Sequence, residues 1–187
     1  MKKVIAAVLC MVFLLAGCSA QKTTFDESAA NAYVGAGELT VINTLARSNG
    51  FFAQDVFVGG HLPYDAEATI KSENGTYALV TYEQFGSYAD FEKKIRSTYT
   101  EEASSKILAD DKYAEIDGKL YFNLAYETET TEKYPLDWSE VTAEASINAD
   151  GIYEITAKVK GSAGMSKKVA LLAVNENGNI RLMDIYS

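Results

Sequence analysis

Cysteine, proline and histidine are scarce in this chain of 187 residues, which has two cysteines, two prolines and one histidine. Both cysteines, Cys10 and Cys18, lie close to the N-terminus, so the long remainder has neither a disulfide nor a thiol nucleophile. A zinc site typically needs three or four ligands, mostly His and Cys, and only His61 is present. The main part of the chain must therefore be stabilised by packing, without a disulfide or a structural zinc.

Positive charge is also in deficit, because 17 Lys and Arg stand against 26 Asp and Glu, for a formal net charge of -9. Loss of an N-terminal segment with Lys2 and Lys3 would make the charge more negative still. Phosphate backbones repel so acidic a protein, which argues against a nucleic-acid partner. A basic protein surface would attract it, unless the acidic face serves only to hydrate the protein.

The long apolar run of the sequence is at its N-terminus. Lys2 and Lys3 precede Val4 to Leu15, a run shorter than the roughly 20 residues that a membrane-spanning helix needs. It fits the apolar region of a signal peptide. The run ends in Leu15-Ala16-Gly17-Cys18, the lipobox pattern, in which small residues admit the signal peptidase and the thiol accepts a lipid.

Three segments follow from this pattern. We expect a lipoprotein signal peptide over residues 1–17, and a lipidated Cys18 that begins a flexible polar tether over residues 18–28. Residues 29–187 are long enough for a single domain with its own core. The protein is thus predicted to be extracytoplasmic and attached to a membrane surface by its lipid.

Helical periodicity comes first in the domain. Apolar residues at three- and four-residue spacing predict a helix from Asp26 to about Ser48, with Asn49-Gly50 as its stop. The aromatic stretch from Phe51 to Val58 fits a short helix or a strand. Two capped helices follow, one from Tyr88 to Tyr99 after Ser87 and one after Thr100.

Strand periodicity dominates the rest. Hairpins are predicted at Asn74-Gly75 and Asp117-Gly118, where Asn-Gly and Asp-Gly favour positive φ in a tight turn. Four further strands alternate, two around Asp150-Gly151 and two around a turn over residues 175–178. This order predicts a single α+β domain whose N-terminal helices pack on an antiparallel β-sheet meander.

No pattern marks a catalytic centre or a cofactor site. His61 lies in a glycine- and proline-containing loop without a Ser-x-Gly elbow, which favours a loop histidine. Gly35-Ala36-Gly37 has no predicted strand before it, so it is a helix start or a linker. Asp150-Gly151 lacks the ligand spacing of a calcium loop. We expect no enzyme activity, metal or cofactor, although the abundant carboxylates leave a two-carboxylate hydrolase open.

One segment, from Tyr126 to Glu140, combines acids with the sole tryptophan in a long connection between strands. Long connections in compact domains are often functional. Aromatic side chains beside acids suit an interface anchor surrounded by steering charges, and the candidate interface residues are Glu127, Glu129, Glu132, Asp137, Trp138 and Glu140. The alternative is that Leu136 and Trp138 belong to the core.

Several motifs carry a family resemblance between Leu39 and Ser187. They are Phe51-Phe52 with the glycine-rich loop that follows, Thr76-Tyr77 before a strand, Tyr88-x-x-Phe91-x-x-x-Ile95-x-x-x-Tyr99-Thr100, and Asp117-Gly118-Lys119-Leu120-Tyr121. In this order the chain resembles the DL-endopeptidase inhibitors typified by IseA, exported proteins that restrain cell-wall hydrolases of the NlpC type. The resemblance implies that an acidic lobe occupies the cleft of a peptidoglycan endopeptidase. It supplies no motif of functional residues.

Two other classes of protein remain open. Helices followed by a meander are also similar to nuclear transport factor 2-like domains, whose pocket binds small ligands. A structural envelope protein is the third class. A deep apolar pocket between helices and sheet would favour the ligand-binding lipoprotein, whereas a filled core with a protruding acidic loop would favour the inhibitor.

Lipidation gives the first testable prediction. We expect Cys18→Ala to release the protein from membranes or to leave an unprocessed precursor, because the substituted side chain has no thiol to accept the lipid. Membrane fractionation and mass spectrometry of the N-terminus measure this. A variant as membrane-bound and as correctly processed as the wild type would contradict the assignment.

Overall fold

A computed structural model describes residues 32–129, 136–161 and 165–185. Its helical elements and strands are, in chain order, β1 (Ala32–Tyr33), α1 (Ala36–Phe51), a π-helical segment (Phe52–Phe57), β2 (Tyr64–Ser72), β3 (Gly75–Val80), α2 (Tyr88–Thr98), α3 (Glu101–Leu108), β4 (Tyr113–Ile116), β5 (Lys119–Asn123), a 3-10 helix (Leu124–Glu129), β6 (Asp137–Ile147), β7 (Tyr153–Lys160), β8 (Ser166–Glu176) and β9 (Asn179–Leu182).

The strands form two antiparallel sheets. One has five strands in the order β1-β6-β7-β8-β9, and the other has four in the order β2-β3-β5-β4. The predicted α+β class is confirmed, and β6 to β9 form an antiparallel meander, while the earlier strands form a second sheet that was not predicted. The signal peptide, Cys18 and the tether lie outside the described residues. Within the described residues, no helix is both long and apolar enough to cross a bilayer.

Helix α1 begins at Ala36, about ten residues later than predicted, so Gly35-Ala36-Gly37 is a helix start. Glu38 secures this end. One carboxylate oxygen accepts from the Tyr153 hydroxyl of β7 at 2.7 Å, and the other accepts from the Gly35 amide at 2.9 Å. These bonds, chiefly the one from Tyr153, lower the pKa of Glu38, and the same bond raises the pKa of Tyr153 to about 12. The helix start is thereby tied to the five-stranded sheet.

Asn49-Gly50 does not stop α1, so that prediction was wrong. The helix continues to Phe51 and then into the π-helical segment. Asn49 is fully buried, and its side-chain oxygen accepts from the Tyr99 hydroxyl at 3.0 Å. Gly50 lies directly under the indole of Trp138, where an added Cβ would be 2.2 Å from the ring. Tertiary contacts of both residues therefore override their local tendency to end a helix.

A buried lysine completes the end of the π-helical segment. Lys112, only 3% exposed, donates from its ammonium to the carbonyl oxygens of Phe57 at 2.7 Å and Gly60 at 2.8 Å. Carbonyls at a helix end lack partners within the helix, and a cation there is favourable. This contact fixes the loop that carries His61.

The predicted hairpins are present, with one change of register. The turn between β2 and β3 consists of Glu73-Asn74, and Gly75 begins β3 with a φ of 143°. In the other two tight turns, Asp117-Gly118 and Asn177-Gly178, both residues have positive φ, as tight hairpin turns require.

Helices α2 and α3 begin at the predicted caps. Ser87 accepts from the Asp90 amide at 3.2 Å and donates to its carboxylate at 2.7 Å, while Thr100 accepts from the Ala103 amide at 3.3 Å. Between the helices, the Thr100 amide donates to the Leu182 carbonyl of β9 at 2.9 Å. The junction of α2 and α3 is thus hydrogen-bonded to the five-stranded sheet.

A cluster of aromatic side chains fills the centre of the molecule. The ring centroid of Phe91 lies 5.2 Å from that of Phe85, 5.3 Å from Tyr113 and 6.3 Å from Phe52. Phe52, Phe122 and Tyr99 are fully buried. The predicted inner stripe of α2 is buried at Phe91, Ile95 and Tyr99, and half-buried at Tyr88. The aromatic cluster joins the helices to the four-stranded sheet, and the hydrophobic core around it continues into the five-stranded sheet.

Phe91→Ala tests the aromatic cluster. We expect it to lower the free energy of unfolding by about 3–5 kcal/mol, because a large buried ring is replaced by a cavity. Denaturant melts measure the loss, with the exposed neighbour Lys93→Ala as a control that should change stability by about 0.5 kcal/mol or less. A loss below about 1 kcal/mol for Phe91→Ala would mean that the ring is not packed as described.

Candidate functional site

The predicted acidic interface is divided between two parts of the fold. Glu127 is exposed on the 3-10 helix and accepts a short hydrogen bond from the Tyr64 hydroxyl of β2, which raises the pKa of Tyr64. Glu129 is the last residue of this helix, and Glu132 lies outside the described residues. Glu127 is therefore held on the four-stranded sheet.

The second part belongs to the five-stranded sheet. Asp137 starts β6, faces Lys160 across the strand pair, and accepts from the Ser139 hydroxyl at 2.6 Å and amide at 2.9 Å. These two bonds lower the pKa of Asp137. Glu140 forms an ion pair with Lys160. Asp137 and Glu140 thus meet at one lysine, which offsets part of their negative charge.

Trp138 lies in the core. Its side chain is 5% exposed and covers Gly50 of α1, while the neighbouring Leu136 is 7% exposed and its carbonyl accepts from the Gln54 side chain at 2.6 Å. In this position the indole offers little surface to a partner. The burial fits the core alternative for both residues, so we treat Trp138 as a packing residue of the α1–β6 contact.

His61 takes part in an aromatic stack. Its ring lies 4.5 Å from Phe122 and 5.2 Å from Tyr64, and its Nδ1 is 3.0 Å from the Leu62 carbonyl oxygen. These contacts give the histidine a packing role. Across the ranges that the structure describes, no three side chains of His, Cys, Asp or Glu are grouped to hold a metal ion.

A surface cleft between α1 and α2 was not predicted. It has a volume of about 560 Å³. On each helix, the residues that line it are spaced three or four apart, so they lie on one face of the helix. The loop before α2 contributes Gln84 and Phe85 to the lining. The helical lining residues are Thr44, Arg47, Ser48 and Phe51 on α1 and Asp90, Lys93, Lys94 and Ser97 on α2. We call this the basic cleft.

The basic cleft stays open because of the side chains that face it. Two neighbouring helices usually bury apolar stripes against each other. Here the apolar stripes, such as Ile42 and Leu45 on α1 and Phe91 and Ile95 on α2, point to the core, and polar stripes border the space between the helices. Each polar stripe alone is typical of any surface helix, so no sequence pattern indicates that the two stripes face each other.

No family model matches this sequence, and no curated protein matches it with significance. The resemblance to DL-endopeptidase inhibitors therefore stays a prediction.

The contact of Gly50 with Trp138 gives a prediction that tests whether Trp138 is a core residue or an interface residue. Gly50→Ala should destabilise the protein by about 1–3 kcal/mol or more, because the new Cβ overlaps the indole. Gly37→Ala is the matched control, since nothing lies within 4 Å of a Cβ there, and it should be neutral or stabilising by about 0.4–1 kcal/mol.

Trp138→Ala should itself cost about 3–5 kcal/mol of stability. In that background, the added cost of Gly50→Ala should largely vanish, because the clashing ring has been removed. Thermal or denaturant unfolding of the four proteins measures this coupling. Additive effects of the two substitutions, or a Trp138→Ala variant as stable as the wild type, would contradict the packing.

Proposed function

We propose that this protein is a membrane-anchored extracytoplasmic lipoprotein that acts without catalysis, by binding and inhibiting a peptidoglycan DL-endopeptidase of the NlpC type. The lipobox at Cys18 supports the anchor, and the family resemblance supports the target. The filled interior of the domain is the observation that favours an inhibitor over a small-ligand-binding protein. Among the described residues, aromatic rings occupy the space between helices and sheets where a ligand-binding cone would have its pocket.

The packing of this interior argues for recognition at the surface. Phe52 and Phe122 are fully buried, and Tyr113 joins them through a ring contact of 5.7 Å with Phe122 and a hydroxyl hydrogen-bonded to the Val56 carbonyl at 3.2 Å. A nuclear transport factor 2-like binder needs an apolar cavity of several hundred Å³ at this place. A filled centre leaves the outer surface as the means of binding a partner.

The acidic surface near Glu127 is the proposed contact region. Its carboxylate is exposed yet held by the Tyr64 hydroxyl, so the charge is presented in a fixed position. Two further acids that the sequence predicts to be interface residues, Glu129 and Glu132, follow Glu127 in the chain. Preorganised charge of one sign steers a protein towards a cleft of the opposite sign and raises the association rate.

The functional prediction concerns the soluble domain from about residue 29. We expect it to bind a cell-wall endopeptidase from its own envelope and to slow cleavage of purified peptidoglycan. Added salt should mainly slow association, because exposed charges are screened beyond about 8 Å at physiological ionic strength. Stopped-flow or surface-based binding kinetics measure the two rate constants separately.

Charge reversal locates the contact. Glu127→Lys, Glu129→Lys and Glu132→Lys together should weaken inhibition at an almost unchanged melting temperature. The matched control reverses three exposed acids on the five-stranded sheet and its adjoining turns, Asp150, Glu154 and Asp184, and so changes the net charge equally. Equal losses in both triple variants would show that only net charge matters. Failure of the wild-type domain to bind or inhibit any hydrolase of its envelope would remove the inhibitor function.

A further inference from the structure

The basic cleft concentrates positive charge on one face of an acidic protein. Arg47, Lys93 and Lys94 border it together with a single carboxylate, that of Asp90. In a chain with a net charge of -9 such a local excess of cations is opposite to the average. An anion in the basic cleft would therefore be attracted locally although the whole molecule repels it at long range.

These cations are not used to stabilise the fold. Within the described residues, the ion pairs are made by Arg96, Lys106, Lys158 and Lys160. Arg47, Lys93 and Lys94 take part in none of those pairs, and all three side chains are exposed. Their guanidinium and ammonium groups therefore remain available to a ligand.

Asp90 is already engaged as part of the α2 cap, because its carboxylate accepts from the Ser87 hydroxyl at 2.7 Å. Asp90 also takes part in none of the ion pairs found among the described residues. The remaining lining offers one further donor to an anion, the Ser48 hydroxyl, whereas the hydroxyls of Thr44 and Ser97 donate to the carbonyls of Thr40 at 3.0 Å and Lys94 at 2.8 Å. Three cations and one carboxylate give the cleft a local excess of positive charge. This excess matches a doubly charged anion better than a ligand with one carboxylate.

The basic cleft continues along the helices into a second hollow of about 260 Å³, which shares Thr44, Ser48, Lys94 and Ser97 with it and ends at Arg181 of β9. From Thr40 to Phe51 the groove follows α1 for ~16 Å at the helical rise of 1.5 Å per residue. A guanidinium at the far end and three cations nearer Phe51 suit an elongated ligand with more than one anionic group.

The wall near Phe51 is rigid and partly apolar. Phe51 stacks on Tyr82 at 5.7 Å and lies 6.2 Å from Phe85, which is itself packed edge-on against Phe91 at 5.2 Å. These rings join the groove to the aromatic cluster, so the loop between β3 and α2 that forms this wall is packed against the core. A preformed site of this size lies within the usual range for small ligands.

We propose that the basic cleft binds a ligand carrying two or more phosphate groups, with Arg47, Lys93 and Lys94 contacting one phosphate and Arg181 another. Arginine binds phosphate through two parallel donors, and lysine contributes compact point charges. The same chemistry is offered by a soluble phosphate chain and by the headgroups of anionic lipids at a membrane surface. This site is separate from the proposed inhibitory surface and does not depend on it.

The test uses the full chain in nonionic micelles and calorimetric titration with tripolyphosphate. Lys93→Gln with Lys94→Gln should weaken binding by about tenfold or more, because charge-assisted hydrogen bonds are lost. Lys167→Gln with Lys168→Gln is the matched control, since it removes two exposed adjacent lysines from β8 with the same change in net charge. The control should weaken binding by about twofold or less, the residual effect of long-range charge.

A second arm replaces tripolyphosphate by nonionic micelles doped with cardiolipin, an anionic lipid with two phosphates, with phosphatidylcholine as the zwitterionic control. Binding in either arm that is lost in the Lys93/Lys94 variant supports the site, and the arm that binds more tightly identifies the source of phosphate. Three outcomes would overturn it: binding in neither arm, equal losses in the two lysine-pair variants, or equally tight binding of propane-1,2,3-tricarboxylate.

Discussion

The close contact of α1 with β6 at Gly50 and Trp138 determines how the rest of the molecule is arranged. Because Gly50 has no side chain, the indole can cover the helix backbone, where a Cβ would be only 2.2 Å away. The preceding Asn49 is bonded at 3.0 Å to Tyr99, at the end of α2. One turn of α1 is therefore fixed to the five-stranded sheet and to the second helix together, and the π-helical segment that follows delivers Phe52 to the aromatic cluster.

This junction also produces the basic cleft. Tyr99 and Thr100 hold the C-terminal end of α2 beside β9, while Phe85 and Phe91 pack against the aromatic rings after α1. The two helices are thus positioned by contacts made on their inner faces, and no direct packing between their polar faces is needed. A space is therefore left between the two helices. The residues that line it are not required for packing the helices together, so they can serve a binding function.

Local features of the structure could be predicted where a short motif has one dominant physical solution. The Ser87 and Thr100 caps and the Asp117-Gly118 turn are such cases, because their hydrogen bonds or backbone angles involve neighbours in sequence. Asn49-Gly50 was misread because its partners, Tyr99 and Trp138, are about 50 and 90 residues away. The same applies to the basic cleft, because its two polar stripes form a cleft only when α1 and α2 lie side by side.

The distribution of charge connects the two proposed activities with the predicted anchor. Glu127 is held on the four-stranded sheet by Tyr64, whereas the cations of the basic cleft lie on α1 and α2, so the two proposed surfaces belong to different elements. An anchored domain with such a polarity has two distinct electrostatic faces, each attracting a different class of partner over about a Debye length. Anionic groups held at the basic cleft would leave the acidic surface exposed, because neither surface uses residues of the other. Binding at the two surfaces is therefore compatible in a single molecule, and any coupling between them would act through the hydrophobic core that α1, α2 and both sheets share.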